Sequence, residues 1–491
     1  MVFDKKSIDV IIIGGGVCGC SLLYELSRYR VSTLLLEKEN DVACGTSKAN
    51  SGIVHAGFDP EPGTGMARFN VEGNVCIEQL AADLDIPYRK TGSIVVGFDE
   101  TDRKTIENLL ENGKINGVPG LKIISGDELF SLEPNLNRDI ICALYAPTAG
   151  VVAPWELAIA QAECAVQGGA RVELDCEVLS INKAGEGVDD FFMVTTNKGV
   201  FSSRYVVNAA GINSDMVSQM VESPHFAIKP RIGEYFLLDN TEFDLVNTVI
   251  FPCPSERGKG VIVAPTVHGN IIVGPDSRLS SRDNLATSTS GLEYVRDNAL
   301  RIVPSINFRS SIRNFSGLRA YAGLPDFIVG ESPEVPGFFN IAGIKSPGLT
   351  ASPAIAKEIA RLMLNKGLSN EPNPDFVAKR RIIRFKELSE AEKSKVIQEN
   401  PLYGSIVCRC QTVTEGEIAD AFNRPLPPRS IDGLKRRCNT GAGRCQGGFC
   451  SPKVLALIAK HFNIPPQDVP QDRAGMYVVT GETKGYSAIS G

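Results

Sequence analysis

The sequence predicts an α/β protein of more than one domain, and three observations carry that prediction. A short apolar strand that runs into a glycine-rich turn opens the chain, buried-strand patterns recur far downstream, and alternating apolar and polar stretches lie between them. At 491 residues the chain is too long for one ordinary core. We therefore expect a Rossmann-like nucleotide-binding domain interleaved with an antiparallel-sheet domain that covers a substrate, followed by a small cysteine-rich C-terminal domain.

The first element pair is a strand–helix–strand unit. Asp9–Ile13 is a short apolar run that ends in Gly14-Gly15-Gly16, and a helical pattern follows to about Tyr29. Val31–Leu36 is a second apolar run that ends at Glu37. The spacing is right for two parallel strands joined by a crossover helix.

The turn inside this unit has the spacing of a dinucleotide fingerprint. Gly14 permits a tight turn, Gly16 lets the backbone approach a pyrophosphate, and Gly19 lets the helix pack closely on the strand. Glu37 ends the next strand, where its carboxylate can bind the ribose hydroxyls and would repel a 2′-phosphate, which argues against NADP. A lone glycine motif is often just a turn. Here the surrounding strand, helix and acidic residue favour dinucleotide binding.

Later segments fill in the two sheets. Tyr205–Gly211 and Phe338–Gly343 read as further buried strands of the nucleotide domain. Alternating patterns predict a largely antiparallel sheet from the segments Ser93–Phe98, Tyr235–Leu238, Gly260–Ala264 and Asn270–Val273.

Composition limits the class of protein. An apolar share of 43% and a charged share of 22% are those of a folded globular chain. A formal charge of -6 argues against non-specific binding to nucleic acid or to anionic lipid. No apolar run is long enough to span a bilayer, and Val10–Ile13 is too short for a signal peptide. We expect a cytoplasmic protein, associated with a membrane only through a partner, whose cysteines are reduced or metal-bound.

The fingerprint alone leaves FAD and NAD open, although no second fingerprint follows a strand elsewhere. Residues 1 to about 365 resemble the D-amino-acid-oxidase-type FAD oxidoreductases, and within them the glycerol-3-phosphate dehydrogenases and oxidases. The stretches that carry the resemblance are Gly45–Gly57, Val206–Gly211, Ser316–Arg319 and Gly343–Thr350. The resemblance implies FAD as the cofactor. Together with the fingerprint it assigns to FAD the positions Gly14, Gly16, Gly19, Glu37, Thr46, Ser47, Ala210, Gly211, Gly343, Gly348, Leu349 and Thr350.

The same resemblance selects a substrate site for a small anionic alcohol. His55 is one of four histidines, and although a lone histidine is usually structural, the family position lies beside the flavin and implies a general base. Arg319 stands where the superfamily holds its substrate's acidic group, which suits a planar guanidinium. Lys259 is a second candidate cation, with a solvated turn lysine as the alternative. Ser51 and Ser346 match family positions that contact substrate.

Five of the 13 cysteines crowd into one window near the C-terminus: Cys408, Cys410, Cys438, Cys445 and Cys450. Four thiolates suffice for a 2Fe–2S cluster or a structural zinc, but the C-x-C and C-x4-C spacings differ from the C-x2-C pairs common in zinc sites. The window resembles the bacterioferritin-associated-ferredoxin-like 2Fe–2S domain that ends anaerobic glycerol-3-phosphate dehydrogenase catalytic subunits.

That second resemblance implies a 2Fe–2S cluster held by Cys408, Cys410, Cys445 and Cys450. Cys438 departs from the pattern, since related sequences usually carry threonine there, so it is either a spare thiol or a sign that one ligand is misassigned.

The expected domain plan follows from these assignments and from an Asn/Pro-rich stretch at 370–374 that reads as a linker. An FAD-dependent oxidoreductase domain takes 1–369, with FAD-binding segments at about 1–85, 140–215 and 325–369 and a substrate domain at about 86–139 and 216–324. A linker (370–400), a 2Fe–2S domain (401–470) and a tail (471–491) complete the chain.

Both cofactors together suggest a dehydrogenase that passes electrons to another protein, either a flavoprotein or a membrane-linked subunit. The expected reaction is oxidation of sn-glycerol 3-phosphate to dihydroxyacetone phosphate. Two alternatives stay open: oxidation of L-2-hydroxyglutarate, and a non-catalytic electron-carrier subunit. His55, Arg319 and Lys259 count against the carrier, which has no need of a base and fixed cations.

Overall fold

The computed structural model describes residues 8–184, 191–254 and 260–481. The described residues fall into two compact units, the first within Met1–Lys38 and Val42–Arg381 and the second within Glu39–Asp41 and Ile382–Gly491. Within the described ranges, we find no helix that is both long enough and apolar enough to pass through a bilayer.

The first unit contains two large sheets and the helices that cover them. Its strands are β1 (Ile8–Ile13), β2 (Thr33–Leu36), β3 (Ile53–Val54), β4 (Tyr88–Arg89), β5 (Ser93–Gly97), β6 (Lys122–Ile124), β7 (Cys142–Ala146), β8 (Gly150–Val152), β9 (Arg171–Glu173), β10 (Val178–Ala184), β11 (Phe191–Thr196), β12 (Gly199–Asn208), β13 (Arg231–Leu238), β14 (Val249–Pro252), β15 (Ile262–Pro265), β16 (Ile271–Gly274), β17 (Arg278–Leu279), β18 (Ser311–Arg319), β19 (Ile328–Glu331) and β20 (Phe338–Ala342). Its helices are α1 (Val17–Leu26), α2 (Gly65–Asp83), α3 (Glu100–Ile115), α4 (Gly126–Leu132), α5 (Pro154–Gln167), α6 (Ser214–Ser218), α7 (Thr289–Ile302) and α8 (Gly348–Asn365).

The nucleotide sheet has the order β10-β11-β12-β1-β2-β9, with β20 added to β12 and β19 added to β20. Strand β1 runs parallel to both β2 and β12, and β20 runs parallel to β12. The apolar run of β1 is continuous because both faces of a parallel sheet are covered, and Val10, Ile11 and Ile12 are fully buried. Helices α1, α5 and α8 pack together beside it. The predicted Rossmann-like sheet is confirmed.

Helix α1 ends at Leu26, before the expected end near Tyr29. The Ser27 hydroxyl donates to the Tyr24 carbonyl at 2.7 Å, and the Tyr29 amide closes a turn onto Leu26. Local hydrogen bonding by a serine side chain competes with helix continuation, which accounts for the earlier end.

The second sheet is largely antiparallel, as expected, with the order β17-β13-β16-β15-β14-β5-β7-β6. The exceptions are β14 and β5, which run parallel. Strand β18 pairs with β13 in a register that sets Arg231 opposite Arg319 and Gly233 opposite Gly317. Alternate residues of the sheet enter a buried core that includes Ile94, Val263 and Val273. A small sheet of order β3-β8-β4 completes the first unit.

The second unit is a small helical domain with its own core. Its elements are α9 (Glu390–Glu399), β21 (Ile406–Cys408), β22 (Val413–Thr414), α10 (Glu415–Phe422), α11 (Ile431–Cys438) and α12 (Ser451–Phe462). Ile418, Leu434, Val454 and Ile458 are buried in one cluster with Cys408 and Cys450. Two of the five clustered cysteines therefore lie inside the core of this domain.

Candidate functional site

A cavity of about 870 Å³ opens in the first unit. Its wall runs from Gly16 at the start of α1 to Gly348 at the start of α8, and it also includes residues of β13 and β18. One cavity therefore joins the dinucleotide fingerprint to the antiparallel sheet, and its size is within the range of cofactor and ligand sites.

The fingerprint end has the groups that a pyrophosphate and a ribose need. Gly14 turns the chain at φ +110°, a backbone conformation that favours glycine. Gly16 caps α1, so the positive end of the helix faces the cavity. The Glu37 carboxylate accepts a hydrogen bond from the Gly15 amide at 2.6 Å, which fixes it at the end of β2. Ser47 accepts from the Val17 amide at 2.9 Å.

The positions assigned to FAD divide into two groups. Those that line the cavity are Gly16, Thr46, Ser47, Gly211, Gly348 and Leu349. Those outside its lining are Gly14, Gly19, Glu37, Ala210, Gly343 and Thr350. One member of the second group holds a residue of the cavity wall: Thr350, fully buried in α8, accepts from the His55 amide at 2.9 Å. The chain thus presents helix N-termini and backbone amides at both ends of a cavity large enough for a dinucleotide.

His55 lies in the cavity wall beside Ser346 and Phe251. The Ser346 hydroxyl is 3.1 Å from His55 Nε2, and the His55 and Phe251 ring centroids are 5.7 Å apart. The His55 carbonyl accepts from the Asn74 side chain at 3.0 Å. Backbone and ring are therefore both held, and the half-buried imidazole reaches the cavity in position to exchange a proton.

Arg319 ends β18 in the same cavity. Its Nη2 donates to the Asp276 carbonyl at 3.2 Å, while its Nη1 is buried and has no hydrogen-bond partner among the described residues. Burial raises the pKa of the neighbouring Tyr235, an effect that the Arg319 charge opposes. A buried guanidinium nitrogen without a partner is costly, so an anionic group in the cavity would stabilise it.

The structure describes two of the three remaining predicted substrate residues. Ser51 lines the cavity, half-buried, and Ser346 lines it next to His55. Lys259 lies outside the described residues, so its position relative to the site remains a prediction.

Sequence reasoning missed Arg231, which lines the cavity opposite Arg319. Ser277 holds its guanidinium by two hydrogen bonds, one to the hydroxyl at 2.9 Å and one to the carbonyl at 3.0 Å. Two arginines on neighbouring strands give the cavity a pair of fixed cations. No local motif marks Arg231, because the pairing joins strands that are far apart in the sequence.

In the second unit, the assigned cysteines lie close together, and the Cys450 and Cys408 thiols are within hydrogen-bonding reach of each other. Cys408 and Cys410 sulfurs are 3.8 Å apart, and those of Cys410 and Cys445 are 3.9 Å apart. Two thiolates about 2.3 Å from one tetrahedral metal lie about 3.8 Å from each other. In the described part of the chain no three His, Cys, Asp or Glu side chains already form a group that could hold a metal ion.

Cys438 differs from these four cysteines. Its thiol donates to the Leu434 carbonyl of its own helix at 3.3 Å, and burial raises its pKa to about 12. For Cys445 the effect is opposite, because the Phe449 and Gly447 amides point at its sulfur and lower its pKa. Amides that favour a thiolate suit a metal ligand at Cys445. The two short sulfur–sulfur distances join Cys408, Cys410 and Cys445 and do not involve Cys438, which fits the assigned set.

This fold and cavity define a class of flavin-type oxidoreductases, and comparison with known proteins identifies the family. Residues 9–362 match the FAD dependent oxidoreductase family, and residues 406–460 match the BFD-like 2Fe-2S binding domain. The chain belongs to the FAD dependent oxidoreductase family, with a 2Fe–2S domain near its C-terminus. It is an enzyme with FAD and a 2Fe–2S cluster as cofactors.

Three known proteins are similar to this chain in sequence or in structure. Glycerol 3-phosphate dehydrogenase of Caloramator mitchellensis is 43% identical over 97% of this chain and 99% of its own length. A dithionite-reduced L-alpha-glycerophosphate oxidase from Mycoplasma pneumoniae, solved with FAD bound, aligns with a TM-score of 0.72 at 30% identity, covering 77% of this chain and all of that one. Mitochondrial L-2-hydroxyglutarate dehydrogenase of Arabidopsis thaliana is 27% identical over 73% of this chain and 84% of its own length.

Proposed function

We propose that this enzyme oxidises sn-glycerol 3-phosphate to dihydroxyacetone phosphate. The observation that carries the proposal is the cavity that combines His55 with Arg231 and Arg319. Two arginines match the charge of a phosphate dianion. The buried Nη1 of Arg319 has no hydrogen-bond partner among the described residues, so it is a donor that the phosphate could satisfy. The 43% identity to a glycerol 3-phosphate dehydrogenase over nearly the whole chain supports the same substrate.

In the proposed mechanism the chain's residues bind the anion and move one proton. Arg319 and Arg231 fix the phosphate, which orients the secondary alcohol toward His55. His55 accepts the hydroxyl proton as the carbon–hydrogen bond breaks, and Ser346 keeps the imidazole in place. Ser51 and Lys259 complete the proposed substrate contacts. FAD, when bound, supplies the two-electron acceptor, and the 2Fe–2S cluster supplies single-electron transfer.

We further propose that Cys408, Cys410, Cys445 and Cys450 hold the cluster and that the electrons leave to a protein acceptor. The two close sulfur pairs and the amides at Cys445 support this ligand set. Rapid reduction of NAD by the isolated protein, with no partner present, would contradict a protein acceptor.

An anaerobic titration of the holoprotein tests the substrate. We expect glycerol 3-phosphate to bleach the flavin absorbance and glycerol to bleach it far less, because glycerol lacks the anion. Bleaching by L-2-hydroxyglutarate instead would favour the second candidate, which the similarity to the Arabidopsis enzyme supports. No bleaching by either compound would indicate a subunit that carries electrons without turning over substrate.

A further inference from the structure

The four proposed cluster ligands are unequally exposed. Cys408 and Cys450 are 1% and 2% exposed and belong to the core of the second unit. Cys410 is exposed and Cys445 is half-buried. A cluster held by these thiols would have one edge in the core and the other edge at the surface. Because electron transfer slows steeply with distance, the surface edge is where a protein acceptor has to approach.

An aromatic side chain stands at that edge. Phe449 is 88% exposed, although it lies between Gly448 and the buried Cys450. Its amide points at the Cys445 sulfur, which is 3.9 Å from the Cys410 sulfur. A large apolar ring that contributes nothing to the domain core is exposed at a cost, and such rings commonly anchor protein interfaces.

Two arginines flank the same edge. Arg409 immediately precedes Cys410 and Arg444 immediately precedes Cys445, and both side chains are exposed. The chain as a whole carries a net charge of -6, whereas this edge carries two exposed cations. Aromatic residues and arginine are enriched in interface cores, and charge complementarity steers the encounter of redox partners.

We propose that Phe449, Arg409 and Arg444 form a docking face for an acidic protein that accepts electrons from the cluster. Each encounter removes one electron from the reduced cluster and adds one to the acceptor, so two encounters complete one substrate oxidation. A second copy of this chain would bring the same two cations against themselves, which disfavours self-association through this face. The inference rests on the proposed function, because it assumes that the electrons leave through the cluster.

The test uses the full-length holoprotein, reduced with a stoichiometric amount of dithionite, and two protein probes. An acidic monohaem cytochrome and a basic cytochrome of similar size serve as acceptors in stopped-flow mixing, with cluster reoxidation as the readout. We expect the acidic probe to react at least tenfold faster at low salt and to lose that advantage as salt rises. The double charge reversal Arg409→Glu with Arg444→Glu should invert the preference, and Phe449→Ala should slow the acidic probe about tenfold.

Matched variants separate docking from cluster damage. Lys460→Glu changes an exposed cation on α12, about 15 Å along the helix from Cys450, and should leave both rates unchanged. Leu402→Ala removes another exposed apolar side chain, 41% exposed, with the same expectation. The electron paramagnetic resonance signal of the reduced cluster should be identical in all variants.

Equal rates with both probes, or rates insensitive to the charge reversal, would overturn the docking face. If the protein dimerises and Phe449→Ala abolishes the dimer, the face belongs to a second copy of the chain. If the protein binds anionic vesicles and the charge reversal abolishes that binding, the face belongs to a membrane. Either result would overturn the proposed docking of an acidic protein. Failure of glycerol 3-phosphate to bleach the flavin, with the probe preferences intact, would refute the proposed substrate and leave the docking face standing.

Discussion

At the scale of single residues, the clearest prediction concerns His55. Replacing it with asparagine keeps a polar side chain of similar size next to Ser346 but removes the proposed proton acceptor. We expect the rate of flavin bleaching by glycerol 3-phosphate to fall about 10²–10⁴-fold, with FAD content unchanged. Stopped-flow absorbance under anaerobic conditions measures both quantities. A bleaching rate equal to that of the unmodified enzyme would remove His55 from the base role.

Arg231 offers a second residue-scale test. An Arg231→Ala change removes one of two cations opposite each other on β13 and β18 and leaves Arg319 in place. A hydrogen bond to a charged group contributes about 1.5–3 kcal/mol, so KM for glycerol 3-phosphate should rise about 10- to 150-fold. Reaction with glycerol should change little. If KM for both compounds rises equally, Arg231 shapes the cavity and does not bind the phosphate.

The cysteines give a third test at this scale. Cys445→Ser should abolish the visible absorbance and the paramagnetic signal of the cluster, because it removes one proposed ligand. Cys438→Ser should retain both signals, since that thiol bonds to the Leu434 carbonyl of its own helix. Loss of the cluster in Cys438→Ser together with its retention in Cys445→Ser would require a different ligand set.

A site residue could be predicted from the sequence when a motif in its immediate neighbourhood marked it. His55 and Arg319 stand in recognisable stretches, and both line the cavity. Arg231 could not be found in this way, because its relevance comes from pairing between β13 and β18, whose facing residues Arg231 and Arg319 are 88 positions apart. A sequence shows the strand patterns but not the register that joins them.

At the scale of elements, the approach of β18 to the loop after Gly45 depends on Gly317. A Cβ atom at Gly317 would lie 1.9 Å from the Ala49 carbonyl oxygen, closer than any contact allows. Gly317→Ala should therefore displace the loop that carries Thr46 and Ser47, lower stability by about 1–3 kcal/mol and weaken FAD binding. Thermal unfolding and FAD titration measure these effects.

Gly45→Ala is the matched control in the same loop. A Cβ atom there meets nothing within 4 Å, and its φ of -88° lies outside the left-handed region that favours glycine. Unchanged FAD affinity in Gly317→Ala would show that the loop and β18 can separate without disturbing the site.

The types of most strands were predictable because their sequences form clear apolar runs. Continuous apolar runs became β1, β2 and β20, and the segments predicted for the antiparallel sheet became β5, β13, β15 and β16. Of these, β5, β15 and β16 are buried along their whole length and do not alternate. Element ends were less predictable, because side-chain hydrogen bonds such as that of Ser27 decide them. Helix α9 illustrates this point: it begins at Glu390, where Ser389 and Glu392 form a capping box.

At the scale of the whole molecule, truncation tests where the flavin unit ends. The sequence places that end at 369, whereas the compact first unit extends to Arg381. Arg380 forms an ion pair with Glu163 at 2.7 Å, with side chains 11% and 3% exposed. Removing one partner of a buried pair costs about 3–5 kcal/mol, so a chain of residues 1–369 should be less stable than one of residues 1–381.

The longer truncation should bind FAD and be bleached by glycerol 3-phosphate, because the Mycoplasma pneumoniae oxidase corresponds over its full length to 77% of this chain. It should not reduce the acidic cytochrome at the rate of the full protein. Melting temperature, FAD content and cytochrome reduction report these outcomes. Equal stability of the two truncations would show that residues 370–381 contribute nothing to the fold.

The central position of β1 has a consequence for how the protein is made. Its neighbour β2 follows within about 20 residues, but its other neighbour β12 pairs Ile13 with Asn208, and β20 joins β12 only at Phe338. During translation, nearly two hundred further residues are therefore synthesised before β12 is available to pair with the second edge of β1. Such long-range parallel pairing folds slowly and leaves apolar edges open to aggregation. We expect the nascent chain to need chaperone protection until the ribosome has passed the middle of the message.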